Sequence, residues 1–383
     1  MMIYLDYAAT TPMSDYALSI YTETAKNAFG NSNSLHDIGG QANDILQASR
    51  KIIANLIGGE ENGVYFTSGG TEANILAVQS LLNGADPMKR HIITSSMEHS
   101  SLYSYFQLLE EKGYEISYAE ADQYGYISLD ALKKSIRDDT VLVSIQHGNS
   151  EIGQIQPIED FGNYLLEKDI LFHSDCVQTF GKVPLNVKKA NVTAISISSH
   201  KIYGPKGVGA VHINPSVYWK SVFLHTTHEN GFRPGTVNVP GIAAFAVAAR
   251  EVHSAIDETN DHFIQLRNIV RTKLEPHEKH INIINNSSPY KQLNNIIALF
   301  IPGIEGQYIM LEANRYGYGI STGSACQIGM QAPSRTMTAL GFNASEAKQY
   351  VRISTGKATA AHEIEEFCDK LIEIIKNFKN IKN

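Results

Sequence analysis

The chain has 383 residues, of which 43% are hydrophobic and 19% charged, and it carries a net charge of −7. That length and balance exclude a disordered chain and suit one large domain or two unequal ones, while the acidic balance excludes a general nucleic-acid-binding surface. Three cysteines are too few for a disulfide framework and fit a cytoplasmic protein. No apolar run is long enough to span a bilayer, and the opening MMIYLDYAATTP lacks the basic stretch of a secretion signal.

Short β-branched runs alternate with longer amphipathic stretches. In chain order, strands are expected at Gly63–Thr67, His91–Thr94, Glu115–Tyr118, Val141–Gln146, Ile170–Ser174, Val192–Ser198 and Val208–Ile213. Helical patterns lie between most of them, at Thr71–Leu82, Ser100–Glu111, Leu129–Ile136 and Ile158–Glu167. This alternation predicts an α/β fold, a mainly parallel sheet with helices on both faces, and ligands beyond the carboxyl ends of the strands.

From Pro240 the pattern changes. Gly241–Leu274 reads as one long helix, small and apolar early (AAFAVAAR), charged later. Short strands at Ile281–Ile284, Asn295–Phe300 and Val351–Ser354 and a last amphipathic helix, Ala361–Phe378, complete a smaller α+β unit. The expected division is a large α/β domain over residues 1–255 and a small one over 256–383, with the first residues packing on the latter.

Chemistry-bearing residues follow the strands. In SISSHKIYGPKG, Ser198, His200 and Lys201 stand just past a strand. A lysine shielded there has a destabilised ammonium and can act as an amine nucleophile toward a carbonyl; a lone lysine in such a place is otherwise simply exposed. Asp175 closes the preceding strand. A buried acid needs a cation or donors, and the pyridinium nitrogen of pyridoxal phosphate is such a cation; a helix N-cap is the other reading. Gln178 follows at a spacing that reaches a ring oxygen.

Ser68-Gly69-Gly70-Thr71 joins a strand to a helix. Glycines admit an anion close to the backbone, and the helix start offers free N–H groups and the Thr71 hydroxyl, a phosphate cradle that Ser198 and His200 can complete. His99, in SMEHSS, is placed to stack on an aromatic cofactor and move protons, or to sit at a helix start. Asn149, in QHGNSEIG, is a donor to a ring oxygen or carboxylate, or an ordinary turn residue.

Cys326 lies in STGSACQIGMQAPS, a stretch without apolar periodicity that reads as exposed loop, where a cysteine points to use of its thiol. Cys176 and Cys368 read as small core residues. Arg352, in the strand VRIS, can hold a carboxylate bidentately or form an inter-domain ion pair. His225 and His228 lack a third ligand and helical periodicity, so no metal is expected.

Taken in order, LDYAATTP, FTSGGTEAN, the EH of SMEHSS, NSEIG, HSDCVQTFGK, SSHKIYGPKGVG, RPGT, STGSAC and VRIS resemble the cysteine desulfurases of the NifS/IscS type, in the class V aminotransferase group. The resemblance spans Tyr4 to Ser354 and implies a pyridoxal 5'-phosphate enzyme of fold type I. It implies that Lys201 carries the cofactor, Asp175 pairs with the pyridine nitrogen, and Gln178 and Asn149 contact the ring oxygen. Gly70, Thr71, Ser198 and His200 would hold the phosphate, and His99 would stack on the ring and move protons. Arg352, with Asn149, would bind the carboxylate of L-cysteine, and Cys326 would take its sulfur as a persulfide. Thr236, in RPGT, would reach the phosphate of the neighbouring subunit, which implies a homodimer. The sulfur would pass to an acceptor protein serving iron–sulfur assembly, tRNA thiolation or cofactor sulfur supply. A related aminotransferase or selenocysteine lyase would keep Lys201 and Asp175 without needing Cys326; an idle relay subunit would have lost the lysine or the aspartate. The departures, HTTHENGF before RPGT and QIGMQAP after Cys326, bear on acceptor choice and loop behaviour rather than on the reaction.

Overall fold

In the computed structural model, which describes residues 2–322 and 333–379, the alternation builds one seven-stranded sheet. Its spatial order is Val64–Thr67, Gly209–Ile213, Ala194–Ser198, Leu171–Asp175, Thr140–Ser144, His91–Thr94 and Glu115–Tyr118. Only Gly209–Ile213 runs antiparallel to its neighbours, so the sheet is mainly parallel, as the sequence predicts. The central strands are buried on both faces and therefore read as apolar runs rather than alternating ones.

Successive side chains on a strand face opposite ways, so neighbours divide between two cores. Tyr65, Ile92 and Leu142 pack with helices Gly70–Gly84 and Ser100–Glu111. Phe66, Ile93 and Val143 pack on the other face with Asp37–Leu56, Ile158–Glu167 and Val239–Ser254. Two early helices, Asp15–Asn27 and Asp37–Leu56, are not signalled by the strand–helix alternation; Ser14 and His36 cap them by accepting from Ala17 N and Gly39 N.

A three-stranded antiparallel sheet, Asn282–Ile283, Ile296–Phe300 and Tyr350–Ser354, carries a separate core with helices Ile256–Leu274 and Ala361–Phe378. Leu5 is buried in that core, next to Ile3–Tyr4, which pairs in parallel with Tyr318–Gly319. The expected single helix from Gly241 to Leu274 is two: Val239–Ser254 and Ile256–Leu274, broken at Ala255 with φ −119° and ψ 17°. The first half is buried nearly all round, from Ile242 to Ala249, in the large-sheet core. The second is amphipathic and turns Leu266, Val270 and Leu274 to the other core. One straight rod cannot bury both stripes. Among the described residues no helix is long and apolar enough to cross a membrane.

Candidate active site

The parallel strands deliver their carboxyl ends to one edge of the sheet, and a cavity of about 460 Å3 opens there. Gly70, Thr71, His99, Asp175, Gln178, Ser198, His200, Lys201 and Arg352 all line it. The volume falls in the range of small-molecule and cofactor sites.

At the end of Val64–Thr67, Gly69 takes φ 148° and caps the next helix without a side-chain bond. The first N–H groups of that helix, at Gly70 and Thr71, therefore lack intrahelical acceptors at the cavity wall. A Cβ at Gly70 would stand 2.9 Å from Val177 Cγ2, so only glycine leaves this approach open. Across it lies Ser198, 1% exposed, whose Oγ is buried and has no protein partner. An orphaned hydroxyl facing free helix-start amides is a site for an anionic group such as a phosphate.

Asp175 is 6% exposed. Its Oδ2 accepts from Asn74 Nδ2 at 2.7 Å and its Oδ1 from Val177 N at 2.9 Å. The local turn does not exhaust Asp175, because a carboxylate keeps lone pairs that a cationic ring nitrogen could use. Gln178 donates Nε2 to Ala8 O at 3.0 Å. Lys201 sits on the short 3-10 turn Ser199–Lys201, and its Nζ donates to Ala8 O at 2.6 Å and Ala9 O at 2.8 Å. The N-terminal segment is thus part of the site: Thr10 Oγ1 meets His200 Nδ1 at 3.0 Å, and Thr11 Oγ1 donates to His200 O.

His99 caps helix Ser100–Glu111; its Nδ1 accepts from Ser101 N at 3.2 Å, so the neutral ring holds its proton on Nε2. It is open to the cavity but walled by protein elsewhere, which keeps its pKa below the usual value despite the attraction of Asp175. Burial, reinforced by Lys201, pulls His200 down to about 4, so it is a neutral donor or acceptor.

Arg352 donates Nη2 to Asp6 Oδ1 at 2.6 Å and Nη1 to Ser150 O at 2.9 Å, leaving its buried Nε without a protein partner. Asn149 is 1% exposed; its Oδ1 accepts from Glu151 N and Ile152 N, and its Nδ2 reaches Met97 O and Thr336 Oγ1, both at 3.3 Å. Unlike its neighbours Gly148 and Ser150, Asn149 does not line the cavity and is held behind its wall. Thr236 is exposed and lies away from this chain's cavity. Cys326 lies outside the described residues, but Thr322 and Pro333, which flank its segment, both line the cavity. Cys176 and Cys368 are buried, and burial pushes both thiols up to about 12.

Several contributors escaped sequence reasoning. Glu98 is buried at the cavity, accepts from Ser95 Oγ and Gln146 N, and is pushed by burial up to about 8. Glu151 is raised by burial as well and accepts from Ser334 Oγ at 2.5 Å and Thr336 Oγ1 at 3.0 Å, fixing the residues after the Cys326 segment. Arg335 lies 4.0 Å over the Tyr103 ring. Asp6, Asn74 and Lys182 are the others; each stands inside a motif quoted above, LDYAATTP, FTSGGTEAN and HSDCVQTFGK, without a role of its own in the sequence reading. In HTTHEN the residue that matters is Glu229, which pairs with Arg50 through two 2.9 Å bonds and accepts from Phe66 N.

Pyridoxal phosphate therefore fits the residues present: an anion cradle at one end, an acid for a ring nitrogen, and a lysine amine at the wall. Comparisons with known proteins agree. The profile of the family described as aminotransferase class-V matches residues 3–367. A putative cysteine desulfurase NifS of Bacillus subtilis (strain 168) is 50% identical over 95% of this chain and 92% of its own length. The cysteine desulfurase IscS of Methanosarcina thermophila is 35% identical over 99% of this chain and 93% of its own. A solved NifS-like protein superposes with a TM-score of 0.91 at 31% identity, covering 98% of this chain and all, 100%, of that one. The chain belongs to the aminotransferase class-V family and, within it, to the NifS/IscS cysteine desulfurases.

Proposed function

We propose that the protein is a pyridoxal-phosphate-dependent cysteine desulfurase that converts L-cysteine to L-alanine and holds the released sulfur on Cys326. One observation carries this reading: Lys201, Asp175 and Arg352 line the same cavity as Thr322 and Pro333, the two residues flanking the Cys326 segment. Four residues of chain keep Cys326 within about 14 Å of Thr322. A plain aminotransferase has no need of a thiol tethered at its cavity.

The cofactor, when bound, supplies an electron sink for charge at the substrate Cα. Gly70, Thr71, Ser198 and His200 would hold its phosphate, Asp175 its ring nitrogen, and Gln178 its ring oxygen, with Asn149 fixing the wall beside it. Arg352, which lines the cavity, receives the α-carboxylate of cysteine, while Asp6 and Ser150 hold the guanidinium in place. Lys201 Nζ takes the α-proton. His99, kept neutral with its proton on Nε2, offers that N–H to the substrate sulfur. The Cys326 thiolate attacks that sulfur: an S–S bond forms, the substrate S–Cβ bond breaks, Cβ takes up a proton in place of the one the substrate thiol gives up, and Lys201 returns the α-proton to Cα, which completes alanine.

Cysteine desulfurases of this family are typically dimeric, and the exposed Thr236 supports a homodimer in which it reaches the partner's phosphate site. The persulfide would be delivered to an acceptor protein in the cytoplasm. The break at Ala255 supports a large cofactor-binding domain over residues 1–255 and a small one over 256–383. The test is alanine formation from L-cysteine by the purified holoenzyme, expected for the wild type and abolished in Lys201→Ala. Turnover by that variant at the wild-type rate would refute the reading.

A further inference from the structure

Four residues after Gln178, Lys182 turns inward. Its Nζ donates to Gln178 O at 3.0 Å and to Gln178 Oε1 at 3.2 Å. Among the described residues no carboxylate pairs with it, so its ammonium rests on amide oxygens alone. The same Gln178 amide donates Nε2 to Ala8 O, which also accepts from Lys201 Nζ. Two lysines thus stand at the two ends of one hydrogen-bonded chain. They also share a narrow chamber of about 70 Å3, walled in part by Tyr7, Thr11 and Tyr203, with room for a few waters. Lys201 lines both this chamber and the main cavity.

This arrangement constrains both ends. An ammonium is donor only, so the Gln178 atom facing Lys182 is its oxygen, and Nε2 is turned to Ala8 with a second N–H left to give. A like charge nearby disfavours protonation of Lys201. We propose that Lys182 is a positioning residue for the reaction at Lys201: it fixes the Gln178 amide and stands behind Lys201 as a second cation that eases loss of its proton. The proposal rests on the reading of Lys201 as the cofactor lysine. Burial, with Lys201 and then Arg352 adding to it, brings Lys182 down to about 7, so the second cation is fully present only below that pH. The other charged groups on the chambers it borders are Glu251 and Lys357 on the inner side, and Asp257, Arg267 and Lys291 on the outer.

The experiment is a pH titration of the visible absorption band of the holoenzyme in wild type, Lys182→Met and Lys182→Arg. Losing the cation should raise the midpoint by about one unit or more in Lys182→Met, while Lys182→Arg, which keeps the charge, stays near wild type. Lys182→Gln, also neutral, carries the same expectation if the Met variant does not fold. An unchanged midpoint in a folded neutral variant, or equal shifts in the Met and Arg variants, would overturn the role of the charge. A visible band and normal turnover in Lys201→Ala would instead overturn the reading of Lys201 itself.

Discussion

Arg352 Nη2 lies 2.6 Å from Asp6 Oδ1, so the guanidinium read as the substrate clamp is already held by a carboxylate from the N-terminal segment. Both side chains are largely shielded, at 7% and 19% exposure. The pair orients Arg352, which lines the cavity. Arg352→Lys keeps the charge and loses the planar fork, so KM for L-cysteine should rise by about tenfold or more with a smaller change in kcat. Steady-state kinetics decide it; an unchanged KM would make the arginine purely structural.

Asp175→Asn should fold and retain cofactor yet lose activity by about a hundredfold or more, because a neutral amide cannot keep a ring nitrogen protonated. Thermal melts and kcat for the same preparation separate the site role from the local turn formed with Val177 N. Normal turnover would leave Asp175 as a turn residue only.

Glu229 is predicted to act at a distance. It neutralises buried Arg50 and accepts from Phe66 N, in the strand that ends one residue before Ser68 and the glycine turn. Glu229→Ala leaves that cation uncompensated, and urea unfolding should show a loss of about 3–5 kcal/mol. Cofactor retention should weaken alongside.

Acid should unfold the protein earlier than its surface charge suggests. Burial lowers His173 to about 3 and His147 and His212 to about 4. An unfolded histidine takes its proton near 6.5, so the unfolded chain binds more protons between that pH and about 4. These groups contribute full stability above about 6.5 and lose it as pH falls, with a limiting slope of about 1.4 kcal/mol per unit for each. Glu98, raised to about 8, works the other way: its contribution is greatest below the unfolded carboxyl pKa and declines as pH rises toward 8. Urea midpoints across this range should fall steeply on the acid side, and Glu98→Gln should lessen the decline on the alkaline side.

Much of the sheet was legible because its strands are short, buried runs bounded by turn residues, and the motifs after Thr67, Asp175 and Ser198 sit where a parallel sheet presents its ligands. What escaped was set by tertiary context. Nothing local says that Asp6 reaches Arg352, or that Ala8 O gathers Gln178 and Lys201 across more than 160 residues of sequence, |i−j| being 170 and 193. Helical periodicity ran through Ala255 unbroken, since each half is helical in itself and only the placement of the two cores forces the bend. Nothing local marks Glu229, which follows His225 and His228, because its partners Arg50 and Phe66 lie far off in sequence, |i−j| being 179 and 163.

Of the three cysteines, Cys326 is expected to receive the sulfur. Cys176 and Cys368 are buried and held protonated, which makes both poor nucleophiles. Cys326→Ser should still bind L-cysteine and shift the visible spectrum, but form alanine at no useful rate. The direct measurement is peptide mass spectrometry of the wild-type holoenzyme after brief exposure to L-cysteine. The account predicts one added sulfur on the peptide containing Cys326 and none on those containing Cys176 or Cys368; sulfur on Cys176, or wild-type alanine formation by Cys326→Ser, would contradict it.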